Sequence, residues 1–221
     1  MPDSIQTGLG AIPTITLDDV RRALAVPGFD SMSAQLRMAP RPRPIRRQTS
    51  SGQPRLAAVL VLLYPVDDTL TFPLMRRPDY EGVHSGQISL PGGSREGDET
   101  FEQNALRETR EEFGVSDPIE ILGSLTPIYV PPSDFEIHPF VGYLPHRPSF
   151  TPDPIEVVEI IEVPLTLLFD EQAKGQDQRQ REDGGTWTFP FYRAGQDKVW
   201  GATAAMLSEL ETRLRIVFNA Q

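Results

Sequence analysis

The sequence predicts an α/β (α+β) fold in which helices cover a mixed sheet. Three observations point there. Apolar runs of strand length recur between polar turns. One amphipathic helical pattern sits among them in mid-chain. A second, longer helical pattern follows the last strand.

The elements are justified in order. Thr16-Leu-Asp-Asp-Val-Arg-Arg-Ala-Leu-Ala25 reads as a short amphipathic helix. Thr16 is its N-cap, and Asp18 and Asp19 fall in the first turn, where the helix dipole favours negative charge. The alternating prolines of Pro40-Arg-Pro-Arg-Pro44 fix φ and bias each preceding residue to extended backbone, so 39–56 reads as an arm or linker. Leu56–Tyr64 is a continuous apolar run and reads as a buried strand. Leu70–Met75 is its expected hairpin partner, with Asp67 and Asp68 in the turn. Residues 100–113 read as a helix ended by Gly114. Ile119–Leu125, Ile137–Leu144, Glu156–Val163 and Thr186–Tyr192 read as strands, Gln172–Gly185 as a mobile loop, and Trp200–Phe218 as a closing helix. Trp187 and Trp200 are expected in the core. The resulting division is an N-terminal helix and Arg/Pro-rich arm over 1–55 and a body over 56–221.

Composition narrows the chemistry. The 221 residues hold 21 Lys+Arg against 31 Asp+Glu, no Cys and three His. A disulfide scaffold, a zinc-thiolate site and a thiol nucleophile are excluded. The net charge of −10 hides an asymmetry: residues 31–56 carry six Arg and no acid, and residues 57–221 carry 13 bases and 27 acids. Such a body is a poor nucleic-acid binder, and it needs cations to handle a polyanion. No run is long enough to span a membrane. The N-terminus has neither a basic start nor an apolar stretch, so the expected compartment is the cytoplasm.

The chemistry concentrates in Pro91–Val115, a glycine-rich loop leading into the mid-chain helix. At helical spacing Phe101, Ala105, Leu106, Thr109 and Phe113 share an arc of about 140°. Glu108, Glu111 and Glu112 occupy the adjacent arc, beside the core. Glu108 and Glu112 are like charges four residues apart, and Glu111 and Glu112 oppose the helix dipole. A hard divalent cation removes both penalties, and an all-oxygen ligand set suits Mg²⁺ or Mn²⁺. A solvated acidic face paired with Arg107 and Arg110 is the alternative from the helix alone.

The spacing of Gly93, Glu99, Arg107-Glu108-Thr109, Glu111-Glu112 and Gly114-Val115 resembles the Nudix box. All seven of its residue-specific positions are met, a chance agreement on the order of one in a billion. Upstream, Arg77, Gly86, Pro91, Gly92 and Gly93 match the extra motif of the coenzyme A pyrophosphatase branch, while Gly82 stands where that motif has a second arginine.

The resemblance implies an α/β/α sandwich and a metal-dependent pyrophosphatase. The implied substrate is coenzyme A or a CoA derivative, cut to 3′,5′-ADP and (acyl-)4′-phosphopantetheine. Gly82 favours the alternatives: ADP-ribose, NADH or dinucleoside polyphosphates. A non-catalytic nucleotide sensor is the rival of a different class. Glu108, Glu111, Glu112 and the Gly92 carbonyl are the implied ligands of Mg²⁺ or Mn²⁺. Arg107 would orient the glutamates and Glu99 would pin the loop. The base is expected to be Glu108 or Glu111, then Glu156 or Glu159. Arg77, His84, Gly86, Gly92 and Gly93 are the expected substrate contacts. The implied partner is a small nucleotide; a homodimer stays open.

Overall fold

The apolar run at Leu56–Tyr64 is the middle of strand β1 (Arg55–Val66), in a computed structural model that describes residues 14–43, 52–79, 85–181 and 183–220. Side chains alternate across a strand, so β1 feeds two cores. Ala58, Leu60, Leu62 and Tyr64 join one, and Val59, Val61 and Leu63 join the other. Each fully buried Leu contributes roughly 1.5–3 kcal/mol of transfer free energy, so this strand alone ties both layers to the sheet.

One edge of β1 is shared by two strands. Its start pairs with β4 (Gly92–Ser94) at Ala57–Val59, and its end pairs with β2 (Thr69–Arg76) at Tyr64–Val66. Asp67 and Asp68 close the hairpin with φ of 46° and 62°, the double positive pattern of a two-residue turn matched to strand twist. The other edge pairs in parallel with β7 (Phe135–Tyr143), which carries β5 (Glu120–Ser124) and β6 (Ile128–Val130). β3 (Ile88–Ser89) and β8 (Glu159–Pro164) complete the eight-stranded mixed sheet beside β2.

Helix α3 (Phe101–Phe113) covers one face, packing Ala105 and Phe113 on the first core. On the other face lie α1 (Leu17–Leu24), α2 (Ser31–Leu36) and α4 (Gly201–Asn219). The result is the expected α/β/α sandwich. Thr16 caps α1 in a capping box with Asp19. Two acids buried on α4 fasten the layer. Glu209 accepts from Gln35 Nε2 at 2.9 Å and from the Thr126 N–H at 3.1 Å. Glu211 accepts from Tyr192 OH at 2.7 Å and Lys174 Nζ at 2.8 Å.

Two expectations need correction. Gln172–Gly185 is not a loop: it contains β9 (Lys174–Gln180), joined antiparallel to β10 (Thr186–Ala194) in a second sheet completed by β11 (Asp197–Trp200). Its pairing is through backbone groups and its side chains are largely exposed, so no apolar alternation marks it. The strand expected from Glu156 starts at Glu159, because Asp153 turns the chain by accepting from the Ile155 N–H at 2.7 Å and the Val157 N–H at 2.8 Å. Of the extended arm, Arg41 pairs with Thr188 of β10, and residues 44–51 lie outside the described residues.

Candidate active site

The glycine-rich loop and α3 are locked together before any substrate arrives. Thr100 caps α3 in a capping box with Gln103, and Gly114 ends it at φ 68°. At the loop's centre, Arg107 donates to both oxygens of Glu99 at 3.1 and 2.9 Å and to the Ser94 carbonyl at 3.0 Å. Glu99 in turn accepts from the Glu96 N–H at 2.7 Å. The Arg107 guanidinium holds the Glu99 carboxyl below its usual range. Arg107 also pairs with Glu108 at 3.0 Å and Glu111 at 2.8 Å, so one cation joins the loop to two helix carboxylates.

The three box glutamates sit in different environments. Glu111 is exposed. Glu108 is half-buried against Gly93: a Cβ on that glycine would stand 2.5 Å from Glu108 Oε2. Glu112 is buried, where the helix pattern alone put it at the margin of the apolar face. It accepts from the Gly92 N–H at 2.7 Å. Burial pushes its carboxyl up to about 8 and the charges of Glu108 and Glu156 add to this, while Arg77 and the Gly92 N–H oppose it. Burial likewise raises Glu108.

Arg77 stands where a cation is wanted. It lies 3.5 Å from Glu112 Oε1, and it donates to the Gly92 carbonyl at 3.2 Å and to Ser89 Oγ at 3.1 Å. A guanidinium thus bridges two of the groups that the sequence assigns to a metal. No three His, Asp or Glu side chains are grouped closely enough for a metal ion among the described residues. The donor set of carboxylates and one backbone carbonyl nevertheless fits Mg²⁺ or Mn²⁺.

The two later carboxylates separate. Glu156 is close enough to raise both Glu108 and Glu112. Glu159 is paired with Arg76 at 3.1 Å. Its register partner Arg76 shares a face with Leu74, on the α4 side of the sheet and away from α3. Gly86 forms a turn at φ 63°, with its N–H donating to the Pro78 carbonyl at 3.1 Å. His84 and Gly82 lie outside the described residues.

A cavity of about 560 Å³ reaches Gly92 and Gly93 from the α4 side. Trp187, Phe189 and Trp200 line it. The two tryptophans are half-buried cavity walls, not the core residues expected. Pairing of β10 with β9 and β11 turns Trp187 and Phe189 to the same face. Period-two spacing between Thr186 and Thr188 was the available signal. Thr203 and Arg43 also line the cavity; the acid-free, Arg-rich stretch over 31–56 was the signal for Arg43, and nothing in its sequence surroundings marked Thr203.

The NUDIX domain family model matches residues 54–183. The chain belongs to the NUDIX family. It is 36% identical over 160 residues to "Mitochondrial coenzyme A diphosphatase NUDT8" of Homo sapiens, covering 70% of this chain and 67% of the relative. It is 32% identical over 190 residues to "Uncharacterized Nudix hydrolase NudL" of Pectobacterium atrosepticum, covering 81% and 90%. The fold is similar to a MutT/nudix family protein from Enterococcus faecalis, with a TM-score of 0.52 at 16% identity over 92% of this chain and 76% of that one. This Nudix protein is a hydrolase of the pyrophosphatase type acting on small nucleotides. No helix among its described residues is long and apolar enough to cross a membrane.

Proposed function

We propose that the chain hydrolyses the diphosphate bond of coenzyme A or a CoA derivative, giving 3′,5′-ADP and (acyl-)4′-phosphopantetheine. The observation that carries the chemistry is the pair of carboxylates, Glu112 against Gly92 and Glu108 against Gly93, at the edge of a cavity. The substrate rests on Arg77, Gly86 and Pro91-Gly92-Gly93, and on the human relative's likeness. In this reading residues 56–221 form the hydrolase body and 1–55 an added segment.

Glu108, Glu111, Glu112 and the Gly92 carbonyl would hold Mg²⁺ or Mn²⁺. When bound, the ion neutralises phosphate charge and lowers the pKa of a coordinated water. Arg107 positions Glu108 and Glu111 and is a positioning residue. Arg77 turns from Glu112 to the substrate's phosphate, exchanging one anion for another. Gly92 and Gly93 let the diphosphate approach the backbone. Glu156 is the proposed base: Glu108, Glu111, Glu112 and Glu159 are engaged by arginines, whereas Glu156 has no ion pair among the described residues. One water oxygen joins one phosphorus, the bridging oxygen leaves with the other, and Glu156 takes the water's proton.

The test is a substrate panel of CoA, acetyl-CoA, ADP-ribose, NADH and a dinucleoside polyphosphate, with products read by mass spectrometry. Rapid cleavage of another substrate with CoA untouched sinks the CoA reading. Glu156→Gln lowers kcat by about a hundredfold. Unchanged kcat removes it as the base.

A further inference from the structure

We propose that Arg43 and the start of α4 form a second anion subsite, which takes the 3′-phosphate of the substrate's adenosine. The identity of that phosphate rests on the CoA reading; the subsite itself rests on four observations.

First, the cavity is one-sided in charge. The chain is acidic, yet among the described residues the cavity is lined by Arg43 and Arg77 and by no carboxylate. Arg77 faces Glu112 at 3.5 Å and is already engaged there. Arg43 donates to the Tyr129 carbonyl at 2.8 Å and has no acidic partner among the described residues. A guanidinium drawn into an apolar wall without a counter-ion is costly unless an anion joins it. Burial accordingly lowers its pKa.

Second, α4 begins in this wall with its backbone donors uncapped. Trp200 at the N-cap provides no side-chain hydrogen bond, and no acid stands in the first turn of this 19-residue helix. Gly201, Ala202 and Thr203 line the cavity, and the first N–H groups of a helix have no intrahelical acceptor. Third, Thr203 is only 7% exposed and its hydroxyl has no partner among the described residues. The residue lines the cavity, so this hydroxyl is available to donate into it. Fourth, Trp187, Phe189 and Trp200 form an aromatic wall beside these donors, with Phe189 edge-on to Trp200 at 5.4 Å between centroids. A purine stacks there while its phosphate reaches the cation and the helix start.

ADP-ribose and NADH carry no such third phosphate, so the subsite makes the cavity selective for CoA among nucleoside diphosphates. The 2′-phosphate of a nicotinamide dinucleotide phosphate is the other source of this chemistry. Calorimetric titration of the full chain, without metal, with 3′,5′-ADP, 2′,5′-ADP and 5′-AMP separates them. The expected result is 3′,5′-ADP binding about tenfold or more tighter than 5′-AMP. In Arg43→Gln that preference drops to less than about threefold, and Thr203→Val reduces it in the same direction. Thermal melts check that both variants fold. In turnover, the ratio of kcat/KM for CoA over 3′-dephospho-CoA falls in Arg43→Gln by the same factor.

Equal binding of 3′,5′-ADP and 5′-AMP by the native protein overturns the inference, and so does tighter binding of 2′,5′-ADP. Equal turnover of CoA and dephospho-CoA also overturns the subsite but leaves the CoA reading standing. Turnover of ADP-ribose with neither coenzyme cleaved overturns the CoA reading. An Arg43-dependent preference for 3′,5′-ADP then still supports the subsite.

Discussion

Gly92 and Gly93 are neighbours in β4, and replacing each by Ala has opposite consequences. In Gly93→Ala the new Cβ lies 2.5 Å from Glu108 Oε2 and 2.6 Å from Cδ. Ordinary contact starts at 3.4 Å, so the carboxylate retreats by about 0.9 Å. Only the far end of a side chain has to move. The reduced freedom of the unfolded chain returns about 0.4–1 kcal/mol, so stability stays within about 1 kcal/mol of the native value. A displacement of about 1 Å in a positioned group costs on the order of a hundredfold in rate. Gly92→Ala differs in kind. Its Cβ runs into the Ala58 carbonyl oxygen and falls 2.7 Å from Val59 Cα, both backbone atoms of β1, at a φ of +151°. Backbone strain of about 1–3 kcal/mol adds to overpacking of about 1–3 kcal/mol, roughly 2–6 kcal/mol in total. Urea melts and pyrophosphatase assays on the same preparations give both readouts. A folded Gly93→Ala protein with full activity refutes the role given to Glu108. A Gly92→Ala protein that melts like the native one refutes the tight contact between β4 and β1.

Glu99→Gln removes one charge from the carboxylate that grips Arg107, and kcat/KM falls about tenfold with the fold intact by circular dichroism; unchanged kcat/KM shows that Arg107 needs no such anchor. The Arg147 guanidinium, helped by Tyr64 OH at 2.8 Å, holds the Glu162 carboxyl below its usual value of 4.5. The folded state therefore binds this proton less readily than the unfolded one. The stabilisation is complete above about 4.5 and disappears as pH falls through the lower folded value. Glu162→Gln costs about 1–2 kcal/mol at neutral pH, since Arg147 is largely exposed, and its melting curve converges with the native one in acid; a gap independent of pH contradicts the ionic origin. Chelation with EDTA abolishes turnover, and Mg²⁺ or Mn²⁺ restores it, while the thermal melt without ligand changes little. Full activity after exhaustive chelation contradicts the metal requirement.

Local patterns made much of this molecule readable. Thr16 and Thr100 are followed three residues on by Asp19 and Gln103, and both capping boxes formed. Asp67-Asp68 between two apolar runs marked the hairpin. The box spacing marked the loop and helix that hold Glu99, Arg107, Glu108 and Glu112. What stayed hidden depends on distant chain. Glu112 is buried where Arg77, just beyond β2, and the Gly92 N–H of β4 meet it. Glu209 and Glu211 read as ordinary helix surface, yet Gln35, Thr126, Tyr192 and Lys174 converge on them. β9 is polar throughout and is a strand only because β10 lies beside it.

The cavity has a consequence for how such a protein diversifies. The loop and α3 that face the diphosphate come from one continuous stretch, Pro91–Val115. Arg43, the β10 aromatics and the start of α4 come from stretches on either side of it, more than 40 residues away in sequence. Chemistry and recognition are therefore inherited as separate parcels of chain. Drift at 43, 187, 189 or 203 re-tailors the admitted molecule without disturbing the Arg107–Glu99 clasp. Comparison of related sequences should then show the outer stretches varying with substrate while the central one does not.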